Sequence, residues 1–363
     1  MAINVPRPAP TARRASWIVL PVIIALASRV FSAILLLLRA NDARALPQLI
    51  PDSSPFVAWD GQWYLHIVQF GYHAAPLQSV RLAHYDFAFF PGWPLLIRLV
   101  SLNGLLPTDG TAVLLANFLF VLVAIAAYRL FADRFGQQAA LWGTILLAFN
   151  PAAYVFSMAY SETLFVLMAV LYFLDGYGRR SPIFAALATV ARATGLAIGA
   201  SAAVMFVLGK VPRRRLVLIG AAVAITFAAW CVILWTLTGS FTAWYDAEAS
   251  WGVYRGLNSI LRDLTIEPLS AAWLLFVGLM ILGCLLALRS HTDMAVYGLV
   301  AISLAVYGSP LSSMPRLTMV AFPAFGALAN KLGARASALL GVLFAVGEII
   351  FVQIALGPTS HSP

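Results

Sequence analysis

The sequence predicts an all-α polytopic membrane protein, and composition and run length carry that prediction. Hydrophobic residues fill 62% of the 363 positions and charged residues only 10%, with a mean hydropathy of +0.89. Soluble domains do not have this balance. Several apolar runs also reach the roughly 20 residues a helix needs to cross about 30 Å of hydrocarbon. The net charge of +9 invites a nucleic-acid partner, but the basic residues sit in short clusters between apolar runs. That is the positive-inside pattern of a bilayer protein, so the lipid bilayer is the expected partner and nucleic acid is not. Only Lys210 and Lys331 among the basic residues are lysines, a usage that points to a high-GC bacterial genome. Cys231 and Cys284 fall inside apolar runs and read as small buried residues, with no disulfide or metal framework.

The elements follow in order from a cytoplasmic N-terminus. A tail over 1–15 carries Arg13 and Arg14, and a span over 16–39 is too long for a signal-peptide core and lacks a small-residue cleavage site. A long extracytoplasmic loop over 40–109 leads to spans at 110–131, 137–153 and 160–177. The apolar stretch 181–209 poses a conflict. A single crossing would put Lys210, Arg213, Arg214 and Arg215 outside, against the charge rule. Two short helices broken at Arg192-Ala193-Thr194-Gly195 keep both ends inside. Spans at 215–238, 269–289, 294–308, 316–331 and 336–357 complete the chain, leaving a second outer loop at 239–268. Most basic residues then lie inside and most acids outside. The reading is one membrane domain over 1–363, of about 11 helices.

The first outer loop carries the chemistry. Trp59, Trp63, Ile67 and Phe70 recur at helical spacing, with Asp60, Gln62, His66 and Gln69 between them, the pattern of a short helix lying in the membrane interface. Asp60 reads two ways. It suits a helix N-cap, and it also suits a carboxylate acting on a polar group presented by a lipid, beside Trp59, Trp63 and Tyr64. A second segment, 87–98, is apolar but interrupted by Pro91 and Pro94 and reads as interfacial, because an extra span would invert the charge pattern downstream. Asp86 offers another carboxylate in this loop.

Elsewhere, Arg29, Arg192 and Arg316 stand in or at spans, where a charge needs a partner. Arg29 reads as half of a structural pair, with Glu348 as candidate partner. Arg192 and Arg316 read either as phosphate ligands reaching the outer side or as halves of internal ion pairs. Glu162, at an outer span end, is either a favourable first-turn carboxylate or a functional one. The second outer loop holds Phe241, Trp244, Tyr245, Trp251 and Tyr254 among Asp246 and Glu248. Such rings pack on the C–H faces of sugars and also form interfacial belts. His66 and His84 have no metal-ligand spacing to neighbouring acids, so no zinc site is expected.

The order of these motifs resembles a family. Trp59-Asp60-Gly61-Gln62-Trp63-Tyr64, Gly71-Tyr72, Phe89-Phe90-Pro91-Gly92-Trp93-Pro94, Asn150-Pro151, Tyr160-Ser161-Glu162-Thr163-Leu164-Phe165 and Arg192-Ala193-Thr194-Gly195 together resemble the PIG-V-like mannosyltransferases, the relatives of GPI mannosyltransferase II. Ser313–Pro323 is weakly similar to the Pro-Arg segment of bacterial lipid-sugar transferases. Leu317 departs from the tyrosine often found after that arginine, and Gly92-Trp93 replaces a bulkier pair.

The resemblance implies a GT-C fold with its site on the extracytoplasmic face, and an inverting transfer of a sugar, mannose foremost, from a polyprenyl phosphate. The acceptor would be a lipid, glycan or protein, and no cofactor is expected. It implies Asp60 as general base, Arg316 and Arg192 on the donor phosphate, and Trp59, Trp63, Tyr64, Asp86, Glu162, Trp244 and Tyr245 toward sugar or acceptor. The alternative is a transporter or flippase for a lipid-linked saccharide, but related halves and midplane acids, the marks of a transporter, are not evident in the sequence.

Overall fold

The computed structural model describes residues 12–44, 46, 49–50, 54–82, 85–209, 211–250, 271–308 and 311–357. His84, Lys210, Trp251, Tyr254 and the rest of the second outer loop beyond Ser250 lie outside the described residues, as does most of the N-terminal tail. Every described regular element is helical, in keeping with the expected all-α class.

Among the described residues, four helices are long and apolar enough to cross a membrane. They are α1 (Ala12–Leu38), α6 (Thr108–Phe135), α11 (Arg213–Thr238) and α16 (Pro323–Leu356). Shorter helices fill the bundle between them: α7 (Gln137–Ala148), α8 (Glu162–Asp175), α9 (Ser181–Ala191), α10 (Leu196–Val207), α13 (Ala271–Ala287) and α14 (Thr292–Gly308). Helix α6 packs on α1, α7 and α8, and Ala112, Ala116, Ala124 and Ala127 along it are wholly buried. Small side chains let helix backbones approach where lipid offers no hydrophobic drive.

The expected break of the 181–209 stretch is observed. Arg192 is extended (φ −159, ψ 149) between α9 and α10. The Ser201 hydroxyl in α10 donates to the Asp293 carbonyl, Tyr177 donates to the Asp293 carboxylate, and Arg215 donates to the Tyr177 carbonyl. Helix α10 therefore returns to the bundle end from which α9 set out. The turn needs a residue without a side chain at Gly195, where an added Cβ would sit 2.4 Å from Thr189 Cα. Gly195→Ala is expected to cost about 1–3 kcal/mol by overpacking, read as a lower melting temperature in detergent. An unchanged melt would show that the turn can open.

The last two spans form a hairpin. Within α16 the backbone leaves the helical region at Gly333 (φ 75, ψ 179). Before it, Gly326 packs against Phe131 and lies beside Gly143; after it, Gly341 meets Ile145 and Gly347 meets Pro151. Residues 323–332 and 334–356 thus run in opposite directions along α7. The first of these spans starts later than the expected residue 316, because Arg316 belongs to a separate short helix, α15 (Met314–Thr318). Residues 319–322 and then Pro323 divide it from α16.

Arg29 does not pair directly with Glu348. Its guanidinium donates to the Ala153 carbonyl at 2.8 Å, the Ser157 hydroxyl at 2.9 Å and the Ala148 carbonyl at 3.3 Å, and lies 4.2 Å from the centre of the Phe120 ring. Glu348 instead accepts from Ser32. A buried arginine needs several acceptors, and the carbonyls freed where α7 ends supply them. Of the two cysteines, Cys284 is buried as expected, whereas Cys231 is only partly buried.

Candidate active site

Helix α3 (Asp60–Phe70), in the segment expected as the first outer loop, forms where the 3.6-residue spacing predicts it. Its start is not the expected cap. Trp59 occupies the N-cap position, no side chain caps the helix, and Asp60 is its first residue. Trp59 has φ 57 and ψ −121, a backbone conformation that costs a residue with a Cβ about 1–3 kcal/mol. The bend is held by its indole, which donates to the Ala355 carbonyl at 2.8 Å. Gln62 fastens the other side of the loop, its side-chain oxygen accepting from the amides of Leu49 and Ile50. With its backbone fixed this way, Asp60 is free to point at the bundle.

There it meets Arg316. Asp60 Oδ2 lies 2.5 Å from Arg316 Nη1, with side-chain exposures of only 17% and 8%. Arg316 Nε lies 3.6 Å from Glu162 Oε1, and the same oxygen lies 2.7 Å from Arg192 Nη1. The result is a quartet of two carboxylates and two guanidiniums, formally neutral, drawn from four separate segments. Glu162 is fully buried and begins α8. Neither of its oxygens makes an aligned hydrogen bond within the described structure. Oε1 faces the two arginines, and a buried carboxylate oxygen without donors is costly, so Oε2 is the oxygen open to a hydrogen bond from a hydroxyl or water.

Neighbouring residues frame the quartet. Ser161 Oγ accepts from Arg192 Nη1 at 3.0 Å and shares a 2.6 Å hydrogen bond with the Tyr64 hydroxyl. The Tyr160 ring lies 5.2 Å from the Arg316 guanidinium, and its hydroxyl donates to the Ala58 carbonyl. Trp93 is wholly buried and donates to the Ala159 carbonyl at 3.0 Å. Gly92 begins α5 (Gly92–Val100), and an added Cβ there would lie 2.8 Å from the Val190 carbonyl, two residues before Arg192. The Pro-Gly-Trp-Pro segment therefore wedges against the strands of chain that carry Glu162 and Arg192. At nine residues, about 14 Å long, α5 is too short to span, as the charge pattern required.

The remaining predicted residues lie around the quartet rather than in it. Trp63 stacks on Phe89 with ring centres 6.0 Å apart. Asp86 is buried beside His73 and Tyr72. Trp244 and Tyr245 are on α12 (Ala243–Ser250). Trp244 packs edge-on to Phe227 within a second apolar cluster that includes Phe87, Phe90 and Trp230. Tyr245 is exposed. That cluster joins the two segments expected as outer loops, since α12 packs on the short helix α4 (Leu77–Leu82) and on the turn at Asp86–Ala88. Among the described residues, no three histidine, cysteine or acidic side chains gather as a metal-ligand set.

Two acids in these loops hold protons more tightly than usual. Burial pushes the Asp86 carboxyl up to about 6, with His73 pulling it down. Burial likewise pushes Glu248 up to about 7, against the pull of Arg192. A carboxyl raised by folding stabilises below its unfolded value, and that stability is lost as pH rises through its folded value. The melting temperature is thus expected to fall between about pH 4 and 7, and Asp86→Asn to flatten the part of that fall between about pH 4 and 6. Melting curves at several pH values check this; an unchanged slope in the variant contradicts it.

Residues 46–211 match the mannosyltransferase (PIG-V) family. Over that segment the chain is PIG-V-like. The segment supplies Asp60, Glu162 and Arg192, while Arg316 comes from beyond it. The chain is 32% identical over 151 residues to a GPI alpha-1,6-mannosyltransferase 2 of Cricetulus griseus, covering 38% of this chain and 29% of that relative. It is 32% identical over 117 residues to a GPI mannosyltransferase 2 of Drosophila pseudoobscura pseudoobscura, covering 30% of this chain and 24% of that one. The chain thus spans less than a third of the length of these relatives. Among solved structures, an Archaeoglobus fulgidus oligosaccharyltransferase tethered with an acceptor peptide superposes with a TM-score of 0.53 at 14% identity. That match covers 98% of this chain and 57% of the other, and it extends the fold likeness past the PIG-V-like segment to the whole bundle.

Proposed function

We propose that the chain is an inverting glycosyltransferase. It moves a sugar, mannose foremost, from a polyprenyl phosphate to a lipid, glycan or protein acceptor at the extracytoplasmic face. The observation that carries this reading is the quartet itself, in which Asp60 meets Arg316, Glu162 and Arg192 at one end of a helical bundle. The PIG-V likeness of residues 46–211 supports the sugar. The clustering of Arg134, Arg180 and Arg215 toward the opposite end supports the orientation.

In the reaction, the acceptor oxygen forms its bond to the anomeric carbon as the bond from that carbon to the phosphate oxygen breaks. Asp60 takes the hydroxyl proton, a role that needs the carboxylate within about 2.6–3.2 Å of the hydroxyl. The bonding pair of the broken bond stays with the phosphate, which gains one negative charge, and Arg316 and Arg192 stabilise it where it develops. Asp60 loses one negative charge as the phosphate gains one, so the total within the site is constant. Glu162 accepts from sugar hydroxyls and holds the two arginines in register. Trp59, Trp63 and Tyr64 line the approach, and Asp86, Trp244 and Tyr245 shape the outer rim toward the acceptor.

Purified protein in lipid vesicles, supplied with polyprenyl-phosphate-mannose carrying radiolabel in the sugar together with membrane extract as acceptor, is expected to move label into a new product. Absence of transfer across membranes of varied origin would sink the reading.

A further inference from the structure

In the structure as it stands, the proposed base is not free. Asp60 is engaged with Arg316 at 2.5 Å, and Arg192 is engaged with Glu162 at 2.7 Å. The site balances its own charges, so an incoming phosphate finds no unpaired cation within the quartet. Something must give way, and the two acids differ in how easily they can. Each begins a helix, but Glu162 is wholly buried, whereas Asp60 is partly exposed. Arg316 also has a second face. It lines a small pocket with Tyr154, Trp273, Ser312, Phe351 and Ile354, a lining that combines two hydroxyl-bearing side chains with an apolar wall. The pocket rim includes Ala355, whose carbonyl holds Trp59, the residue next to Asp60.

From this arrangement, and resting on the donor class proposed above, we infer that the donor phosphate takes Arg316 from the pocket side and displaces Asp60. Donor binding then arms the base, and it precedes productive binding of the acceptor. Without donor, the carboxylate stays neutralised by Arg316 and cannot abstract a proton from an acceptor hydroxyl. With donor, the phosphate replaces it on the guanidinium, and Asp60 is released on the side where the acceptor arrives. The Tyr154 hydroxyl is a donor to the phosphate in this arrangement, and Trp273 and Phe351 pack on the first isoprene units.

The consequence is contrary to the usual effect of removing an active-site residue. An acid that competes for Arg316 weakens phosphate binding, so neutralising it should tighten binding. The experiment measures binding of radiolabelled polyprenyl phosphate to the full chain in phosphatidylcholine nanodiscs, with neutral polyprenol as control. Asp60→Asn and Asp60→Ala are both expected to bind polyprenyl phosphate on the order of tenfold more tightly than wild type, with polyprenol unaffected. Tyr154→Phe is expected to weaken binding several-fold in both wild-type and Asp60→Asn backgrounds. Equal or weaker binding by both Asp60 variants would overturn the displacement while leaving the donor class intact. No effect of Tyr154→Phe would overturn entry from the pocket side. Failure of every form to bind polyprenyl phosphate better than polyprenol would overturn the donor class and this inference with it.

Discussion

Asp60→Asn is expected to lower sugar transfer by about 10²–10⁴-fold, the range in which a positioned general base contributes. The substitution keeps the shape of the side chain and one oxygen toward Arg316, and it removes no helix cap, because none is made there. Because Asp60 is partly exposed and Arg316 keeps Glu162 beside it, the melting temperature should fall less than in Arg316→Gln, and the protein should keep its helical content. Loss of transfer without loss of fold separates a base from a structural acid. Transfer at the wild-type rate would remove Asp60 from the chemistry and leave the reading of the rest of the site standing.

Replacing Arg316 should have two effects that can be told apart. Arg316→Gln removes the one positive charge that faces both carboxylates, at 2.5 Å from Asp60 and 3.6 Å from Glu162. Losing such an electrostatic clamp is expected to lower transfer by about 10²–10³-fold. It also leaves two acids with one arginine in a buried site, and breaking a buried pair from one side costs about 3–5 kcal/mol. The double variant Arg316→Gln, Asp60→Asn removes one charge of each sign and is expected to regain most of the stability and none of the activity. Recovery of transfer in the double variant would show that Arg316 serves only to neutralise Asp60. Melting and transfer assays on the three variants resolve these outcomes.

Much of the architecture can be read along the chain because it rests on local chemistry. The period of Trp59, Trp63, Ile67 and Phe70 marks α3, and the charge conflict around Lys210 to Arg215 requires a break in the helix, which falls at Arg192. The four charged members of the quartet each stand out, since a charge at a membrane edge is rare and needs a reason. Their pairing does not stand out. Asp60 and Arg316 are 256 residues apart, and nothing local selects Arg316 over Arg192 as the partner of Asp60. The same limit explains why Asp60 resembles a helix cap in sequence. A carboxylate before Gly-Gln-Trp has the local form of a cap, and only the distant Arg316 draws it elsewhere.

Other features depend on packing alone. Ser161 lies inside the Tyr160–Phe165 motif, yet its hydroxyl acquires meaning only when Tyr64 and Arg192 close on it. Arg29 reads as half of an ion pair, but the carbonyls of Ala148 and Ala153 satisfy it instead, a solution that leaves no mark on residue identity. Gly92-Trp93 looks like a loss of bulk in sequence, whereas the backbone of Val190 approaches too closely for any Cβ at that position. Trp244 reads as a sugar platform or as a belt residue, and its ring lies edge-on to Phe227 of α11 in an apolar cluster.

Direct displacement at this quartet is tested most directly by the anomeric configuration of the transferred sugar. Nuclear magnetic resonance of the product, formed from polyprenyl-phosphate-mannose of known configuration, is expected to show the opposite configuration to the donor's. A base that activates the acceptor gives a single displacement and so a single inversion. Retention would mean two displacements through a covalent sugar on a carboxylate, and would contradict the role of Asp60 as base.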